Sequence, residues 1–481
     1  MAVGIVGYGV YVPRYRILVN DIAKAWGSRG RGEKSVAGSD EDCITMAVEA
    51  SINAVHSSGI LPEKIGAVYF GATSSPYIEN YGSGIIKEVF GMSPEVEVSE
   101  FAGSPRASLS ALKAAMDNIN AGRFENILVV ATDNRPSDLG SDLETTFGAG
   151  AAAFVIGKTN IIAEIKEIFT YSTMFIDRWR QAGDDYVRSY DYRYTREYGY
   201  LNHVRGAVEG LLKKQGEAIG AFHHIVLQEP DGRVSKEVSK ALGIKKEQIS
   251  SSLVDLIGDT GNSSVFLGLA DVFETAKGGE KVLAASYGAG TSDALSLTIT
   301  DRVKKTANNC PSLKSYLTKK EYIDYQRYLR YRGLIQQAGE PAKLALPPVS
   351  PFLQRSYREL YLFVGAKCRG CGYINFPPSL RVLCIKCGGA DLEQVKLSKR
   401  GKIHTYCINY YMPPPLEAPL AMIFGDLNDG LRYQALGAEM KPEDLRIDMP
   451  VELVLRLVTV ERGISLYGYK FRALQEDSEG R

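Results

Sequence analysis

Two stretches, NILVVATDN at residues 126–134 and FGAGAAAFVIG at 147–157, carry the clearest signal about the architecture of this chain. Each is an apolar run of strand length, and a Gly-Ala-Gly turn opens the second. The same order returns in KVLAASYGAG at 281–290 and TSDALSLTI at 291–299. Because one supersecondary pattern occurs twice, the sequence predicts an internal duplication.

The opening strands of the two halves are less clearly marked. We interpret VGIVGYGVYVP at residues 3–13 and FHHIVLQEP at 222–230 as the matching first strands. Segments rich in Val, Ile, Ala and Gly alternate with amphipathic stretches up to about residue 300, which is typical of a layered α/β fold. Residues 40–57 and 105–121 have apolar residues at helical spacing, so both are expected to form buried helices.

Composition narrows the class of protein. The 481 residues are 45% hydrophobic, which suits about two to four globular domains. With 57 basic and 56 acidic residues the net charge is +1, so nucleic acid is not an expected partner. No N-terminal signal pattern and no run of about 18 apolar residues occurs, which predicts a cytoplasmic protein that does not cross a membrane. Cys43, Cys310 and Cys407 show no disulfide spacing, as expected in a reducing compartment.

Four other cysteines form two C-x-x-C pairs, a pattern typical of a zinc ribbon. Four thiolates would fill the coordination sphere of Zn²⁺ and leave no position for water or substrate, so the zinc is expected to be structural. The predicted ligands are Cys368, Cys371, Cys384 and Cys387.

The region around the cysteine motif is also distinct. Before it, residues 312–358 carry Tyr322, Tyr325, Tyr328 and Tyr331 and then AKLALPPVSP, which predicts a helix with a packed aromatic stripe and a stiff linker. After it, five β-branched and aromatic runs predict a small OB-type barrel. These runs are HTYCINYYM, LAMIFGDL, LRYQALGAEM, VELVLRLVTV and SLYGYKFRAL.

The motifs of the first 310 residues resemble the 3-hydroxy-3-methylglutaryl-CoA (HMG-CoA) synthase branch of the thiolase superfamily, most closely its archaeal-type members. Residues 355–481 resemble the DUF35 module, a rubredoxin-like zinc ribbon followed by an OB fold. The motifs that carry the first resemblance are VGIVGYGVYVPRYRI, DEDCITMAVEA, YFGATS, the E-F-A of Glu100–Ala102, YGYLNHV, GDTGNSS and ASYGAGTSDA.

This resemblance implies a duplicated five-layer αβαβα fold and a tight dimer, either with a second copy or with a second thiolase-type subunit. It also implies acyl-CoA as the substrate or ligand. The corresponding domains are 1–165 and 166–310 for the two thiolase-like halves, 311–355 for a linker, 356–392 for the zinc ribbon and 393–481 for the OB fold.

The resemblance further implies a cysteine nucleophile, a glutamate base and a histidine that orients the acyl group. In this sequence the position after E-F-A is Gly103, the position after A-T is Ser74, and the position that opens the H-Q-P-N turn is Gln228. The asparagine of the family is retained as Asn262. The glycine-rich turn is retained as well, with Tyr287, Gly288 and Gly290, so Gly103, Gly288 and Gly290 mark the expected CoA thioester region.

Ser104 is the nearest hydroxyl to the position of the missing thiol. A serine nucleophile needs an adjacent base, and the matching histidine is Gln228, so Ser104 is expected to be a helix N-cap ahead of Pro105 rather than an acyl acceptor. Cys43 lies within a predicted helix and is expected to be an inert buried thiol.

Three functions are consistent with these residues. The first is aldol or retro-aldol chemistry on a CoA thioester, which needs a base and an oxyanion site but no acyl-enzyme. The second is a non-catalytic subunit that scaffolds an active thiolase-type partner, and the third is conventional HMG-CoA synthase activity. We favour carbon-carbon bond formation or cleavage within a complex. The candidate catalytic residues are Asn262, Tyr287, Ser104 and Gln228, with Tyr77 and Glu79 as further candidates for proton transfer.

The OB module is expected to contact CoA or the partner subunit rather than single-stranded nucleic acid, since its loops carry Asp426 and Asp429. Arg14, Arg16 and Lys470 are candidates for contacts with the CoA phosphates.

Overall fold

The computed structural model of the protein describes residues 2–250, 252–307, 309–336, 338, 349–412 and 416–474. They form two compact units. Of the described residues, the larger contains those up to Ile86 and Ser93–Arg332, and the smaller contains Lys87–Met92 and those from Gly333 to Leu474. The prolines of the predicted linker at 347 and 348 lie outside the described residues.

The larger unit is built on a nine-stranded mixed sheet flanked by helices. The strands of the larger unit, including those outside this sheet, are β1 (Gly4–Tyr11), β2 (Tyr15–Leu18), β3 (Glu33–Val36), β4 (Ile65–Gly71), β5 (Glu97–Phe101), β6 (Asn126–Asn134), β7 (Ala149–Gly157), β8 (Ala163–Ser172), β9 (Arg178–Trp179), β10 (Arg188–Ser189), β11 (His224–Leu227), β12 (Lys281–Gly288), β13 (Thr291–Ile299) and β14 (Glu321–Tyr322). Its helices are α1 (Val19–Ala25), α2 (Cys43–Ser58), α3 (Gly82–Phe90), which continues into the smaller unit, α4 (Ala107–Asn120), α5 (Asp142–Thr146), α6 (Tyr192–Tyr194), α7 (Asn202–Gln215), α8 (Val234–Leu242), α9 (Val254–Ile257), α10 (Ser264–Thr275), α11 (Val303–Ala307), α12 (Leu313–Thr318) and α13 (Tyr325–Tyr331).

The order of strands in the large sheet confirms the duplication. The sheet runs β11-β12-β13-β8-β1-β7-β6-β4-β5. Each half places its last two strands as an antiparallel pair beside its first strand, as β6-β7-β1 and as β12-β13-β8. The halves meet where β1 pairs with β8, so one continuous sheet spans the larger unit.

One strand assignment was wrong. The first strand of the second half is β8, and the run at 222–230 forms β11, which pairs in parallel with β12 as β4 does with β6. It therefore corresponds to the second strand of the first half. The predicted boundary between residues 165 and 166 falls inside β8, and the other domain boundaries remain predictions.

Both predicted helices are present, with one difference at a terminus. The Asp42 side chain caps α2 by accepting hydrogen bonds from the backbone N–H groups of Ile44 and Thr45. By contrast, α4 begins at Ala107 with Arg106 as its N-cap residue, so Ser104 is not the cap. It lies in the turn before the helix, where its Oγ accepts from the Arg106 N–H at 3.4 Å.

The aromatic stripe packs in part, as expected. Tyr328 is buried in a small core with Ile17, Val36 and Ile323, and Tyr325 and Tyr331 pack against that core. Tyr322 lies on β14 and is exposed. Among the described residues, no helix is both long and apolar enough to cross a membrane.

The smaller unit contains a ribbon and a barrel. After α14 (Val349–Tyr357) the ribbon strands are β15 (Val364–Cys368), β16 (Ile374–Asn375) and β17 (Leu392–Lys396). The five predicted strands follow, in the sheet order β20-β19-β18-β21-β22, and a parallel bridge from Gly437 to Phe471 links its two ends. They are β18 (Arg400–Asn409), β19 (Leu420–Leu427), β20 (Arg432–Leu436), β21 (Pro450–Glu461) and β22 (Ile464–Ala473).

Candidate functional site

A cavity of about 530 Å³ opens in the larger unit at the carboxyl ends of the parallel strands. Thr73 follows β4, Gly103 follows β5, Gln228 follows β11, and Gly288 ends β12; all four line the cavity. The carboxyl ends of parallel strands are where α/β sheets place their ligands. The cavity is therefore the candidate active site.

Gly103 faces open space. Its φ is +83°, a conformation that favours glycine, and a Cβ atom built on it would meet nothing within 4 Å. A side chain at this position would therefore point into free volume. None of the seven cysteines, all of which are described, is among the residues that line the cavity.

Ser104 is packed against the glycine-rich turn instead of lining the cavity. A Cβ on Gly288 would come within 2.5 Å of the Ser104 Oγ and 2.6 Å of Pro105, so glycine is required for the two loops to approach each other. Of the turn residues, Gly288 and Ala289 line the cavity, whereas Gly290 does not.

Gln228 and Tyr287 form a joined pair in the cavity wall. The Gln228 Oε1 accepts a hydrogen bond of 2.9 Å from the backbone N–H of Tyr287. Because only the oxygen of an amide can accept this bond, the orientation of the side chain is fixed. The Gln228 Nε2 makes no hydrogen bond to a described residue and is not sealed within the protein, so it is available to a ligand.

The Tyr287 hydroxyl is paired with a buried carboxylate. It donates a 2.7 Å hydrogen bond to the Oδ2 of Asp177, and both residues line the cavity. Burial, together with the Asp177 charge, raises the pKa of Tyr287 far above its usual value. The phenol is consequently neutral at physiological pH, with a proton acceptor already in contact.

Asn262 is placed behind the cavity wall. Its Nδ2 donates to the Asp133 Oδ2 at 2.9 Å and to the Ser104 carbonyl at 3.2 Å, while its Oδ1 accepts from the Ser108 N–H at 2.9 Å. The side chain is 1% exposed. Its hydrogen-bonding groups are thus committed to holding the loop of Ser104 against the sheet.

Asp133 accepts hydrogen bonds from several of the loops near the cavity. Its Oδ1 accepts from the backbone and hydroxyl groups of Thr73 and Ser74 at 2.7–3.1 Å. Its Oδ2 accepts from the Asn262 backbone and side chain. Ser74 also contacts Cys43, with 3.2 Å between Oγ and Sγ. Burial raises the pKa of Cys43 well above its usual value, which agrees with an inert thiol.

Two of the arginines that line the cavity, Arg135 and Arg178, lie near the same carboxylate. Arg135 pairs with Asp259 at 2.5 Å and stacks over Phe147 at 3.8 Å. Arg178 lies 3.6 Å from the same Asp259 oxygen, and its guanidinium makes no hydrogen bond to any described residue. Burial lowers the pKa of Arg178 from its usual value, although the charges of Asp259, Asp177 and Asp231 act in the opposite direction.

The cations proposed for CoA from the sequence do not lie at the cavity. Arg16 is fully buried and donates to the carbonyls of Tyr15 and Tyr316, so this prediction was wrong. Arg14 pairs with Glu321 at 3.5 Å, and Lys470 is buried in the smaller unit. Tyr77 lines the cavity, whereas Glu79 is exposed and does not.

Sequence reasoning missed Asp133, Asp177, Arg135 and Arg178. Asp133 and Arg135 could have been found, because Asp133 lies in the last two residues of a predicted strand and Arg135 directly follows that strand, at the end where ligands bind. Asp177 directly precedes the two-residue strand β9 and Arg178 begins it, with no motif around them. Only the folded chain brings them to Tyr287.

The four ribbon cysteines have the geometry of a metal site. Their sulfur atoms all lie within 4.8 Å of one another, with 3.6 Å between Cys368 and Cys387 and between Cys371 and Cys384. Tetrahedral zinc with bonds of about 2.3 Å requires about 3.8 Å between sulfurs. The residues therefore fit a structural Zn²⁺, which would hold the two C-x-x-C segments together.

Comparison with known proteins defines the class first. The family "ChsH2, rubredoxin-like zinc ribbon domain" matches residues 361–393. An HMG-CoA synthase solved in complex with CoA shares the fold of the larger unit, with a TM-score of 0.64 and 19% identity over 72% of this chain and 95% of that one. The protein is thus a thiolase-like α/β protein joined to a zinc ribbon and a small β-barrel.

The relatives in sequence identify the family to which the chain belongs. Hydroxymethylglutaryl-CoA synthase of Methanocaldococcus jannaschii is 38% identical over 343 residues, which cover 69% of this chain and 99% of the relative. The enzyme of the same name from Methanosarcina barkeri is 36% identical over 350 residues, 70% of this chain and 100% of the relative. The chain belongs to the hydroxymethylglutaryl-CoA synthase family and carries a C-terminal extension with the zinc ribbon.

Proposed function

We propose that the protein forms or cleaves a carbon-carbon bond of a β-hydroxyacyl-CoA thioester by aldol-type chemistry, without an acyl-enzyme. The observation that carries this proposal is the open cavity in which Gly103, the Gln228 amide and the Tyr287–Asp177 pair converge. The CoA bound to a structural neighbour and the activity named for the sequence relatives support a CoA thioester as the ligand.

The Tyr287–Asp177 pair supplies the proton transfer. In the cleavage direction the β-hydroxyl proton passes to the Tyr287 oxygen while the Tyr287 proton passes to Asp177 over their 2.7 Å hydrogen bond. The β-carbon becomes a carbonyl, the bond between the α- and β-carbons breaks, and its electron pair forms the thioester enolate. The Tyr287 oxygen then gives the β-hydroxyl proton to the α-carbon while Asp177 returns its proton to Tyr287 over the same hydrogen bond, so the pair ends as it began.

Gln228 is suited to stabilise the enolate oxygen. Its Oε1 is held by the Tyr287 N–H, which leaves Nε2 as a donor of fixed direction. A donor that is oriented before the reaction stabilises developing negative charge without reorganisation. Neither this step nor the proton transfer requires a sulfur nucleophile, in keeping with the glycine at position 103.

Purified protein incubated with a panel of β-hydroxyacyl-CoA thioesters, including HMG-CoA, and followed by mass spectrometry tests the proposal. We expect a shortened acyl-CoA and a carbonyl product in equal amounts. Tyr287→Phe should lower kcat by about 10²-fold or more. Gln228→Glu, which keeps the acceptor for the Tyr287 N–H but repels an enolate, should lower kcat by about 10²–10³-fold.

Tyr198→Phe serves as the matched control, because Tyr198 is an exposed tyrosine of the helical segment Thr195–Leu201 that does not line the cavity. It should retain wild-type turnover. Activity that appears only after a thiolase-type chain is added, and that Tyr287→Phe leaves unchanged, would instead identify this chain as a non-catalytic scaffold subunit.

A further inference from the structure

His203 is a buried histidine that the proposed reaction does not use. It is the second residue of α7, it is 1% exposed, and it does not line the cavity. Its ring lies against the ring of Tyr287, with 5.5 Å between the ring centroids. His203 therefore contacts the proposed proton-transfer residue from inside the protein rather than from the cavity.

Both ring nitrogens of His203 are hydrogen-bonded. Nδ1 lies 2.5 Å from the carbonyl oxygen of Gly199, and Nε2 lies 2.7 Å from the Oγ1 of Thr173. A carbonyl oxygen only accepts hydrogen bonds, so Nδ1 carries a proton. In the neutral ring Nε2 then accepts from the Thr173 hydroxyl. The imidazole thus joins two segments that are separate in the sequence.

These two segments enclose the Tyr287 phenol. Gly199 lies in a π-helical turn, Thr195–Leu201, and a Cβ atom built on it would come within 2.7 Å of the Tyr287 hydroxyl. Such turns are frequent at functional sites. On the other side, the Thr173 backbone N–H donates to the Gly290 carbonyl at 2.9 Å, in the turn that follows Tyr287. A shift of either segment would therefore move the phenol.

We infer that His203 is a positioning residue for the Tyr287–Asp177 pair, an inference that rests on the proposed function. The proton must cross the 2.7 Å hydrogen bond of this pair in both directions, and a misplacement of about 1 Å can lower a rate about 10²-fold. His203 acts through Gly199 and Thr173. Imidazole has a donor and an acceptor on separate atoms of one rigid ring, so it can hold both segments at once.

Steady-state kinetics on the full-length, zinc-loaded protein test this role. His203→Asn places an amide N–H where Nδ1 lies and keeps the bond to Gly199, whereas the longer side chain of His203→Gln reaches the position of Nε2 and loses that bond. We expect kcat to decrease about 10-fold in the first variant and about 10²-fold in the second. KM should stay within about twofold of the wild type in both, because neither change reaches the cavity.

The effect of His203 should depend on the phenol. In a Tyr287→Phe background, His203→Gln should lower the residual kcat no further, because the hydroxyl that it positions is absent. His223→Gln is the control, since His223 is an exposed histidine of the larger unit that does not line the cavity. A loss that is equal in both backgrounds overturns the inference, and so does a His203→Gln protein that melts like the wild type and keeps its kcat.

Two spectra test the contacts without turnover. In ¹⁵N NMR of the imidazoles, the signal that is missing from His203→Asn should be that of a ring protonated at Nδ1, and a ring protonated at Nε2 alone overturns the inference. Fluorotyrosine at position 287 should give a ¹⁹F resonance that shifts in His203→Gln but not in His223→Gln, and a resonance unchanged in both overturns it as well. A wild type without turnover would reject the proposed function, while these spectra still decide whether His203 positions the phenol.

Discussion

Asp133 illustrates how a single buried carboxylate orders loops from distant parts of the chain. It accepts hydrogen bonds from Thr73, Ser74 and Asn262, which follow β4 and precede α10. Each of these loops in turn contacts the cavity or the turn that carries Ser104. The geometry of the candidate site therefore depends on a residue that does not itself line the cavity.

Asp133→Asn should destabilise the protein. An amide offers one acceptor oxygen in place of two, so the N–H groups on one side of the residue lose their partner, at a cost of about 1–3 kcal/mol for each buried unsatisfied group. Urea unfolding would measure the loss. Asp117→Asn, on the exposed face of α4, is the control. An Asp133→Asn protein as stable as the control would show that these hydrogen bonds contribute little.

Gly103→Cys should introduce a reactive thiol in the cavity. A Cβ there meets no atom within 4 Å, so the side chain fits, although the φ of +83° should cost about 1 kcal/mol for a residue other than glycine. Intact-mass spectrometry after brief exposure to iodoacetamide or to acetyl-CoA should show one more modified site than in the wild type.

The wild type controls this labelling experiment, because it carries the exposed Cys371, Cys387 and Cys407 in the same environment. Prior addition of a CoA thioester should protect the new thiol from iodoacetamide. If a folded Gly103→Cys protein gains no label, residue 103 does not face the cavity and is not part of the candidate site.

At the scale of elements, α10 and α12 are joined by a carboxyl group with an unusual pKa. The Glu274 side chain, near the end of α10, accepts a hydrogen bond from the Leu313 N–H at the start of α12. Burial raises the pKa of Glu274 from 4.5 to about 7. Between those values the folded protein keeps this proton and the unfolded chain releases it.

The free energy of unfolding should therefore decrease as the pH rises from about 4.5 to about 7. Glu274→Gln removes this dependence, so the stability of the variant relative to wild type should be greater at pH 8 than at pH 5. Denaturant unfolding at the two pH values tests this, with the exposed Glu125→Gln as control. A difference that is the same at both pH values would exclude a titration of Glu274.

The elements that could be predicted from the sequence are those with local signals. The apolar runs of β6, β7, β12 and β13 are buried on both faces, and Asp42 marks the start of α2 with its own side chain. By contrast, β8 reads AEIKEIFTYS, in which charged residues alternate with apolar ones. It gives a weaker signal than the apolar run of β11, which explains why β11 was mistaken for the opening strand.

At the scale of the whole molecule, some residues of the candidate site could be predicted from the sequence and others could not. Gly103, Gln228 and Tyr287 could be predicted because family motifs surround them. Asp177 and Arg178 could not, since their roles arise from contacts with Tyr287 and Asp259, which lie about 110 and 80 residues further along the chain. The cations chosen from sequence failed for the opposite reason, because burial of Arg16 cannot be read from its neighbours.

The division into two units with separate cores predicts two steps in thermal unfolding. A ligand stabilises only the unit that binds it, so a CoA thioester should raise the melting temperature of the step that belongs to the larger unit. Zinc binds the thiolates of the folded ribbon, and its removal by a chelator should lower only the step that belongs to the smaller unit. Calorimetry measures the steps, and hydrogen exchange assigns each step to one of the two units. Cys371→Ser should reproduce the effect of the chelator when no chelator is added. A single transition that both additions shift together would show that the two units unfold as one.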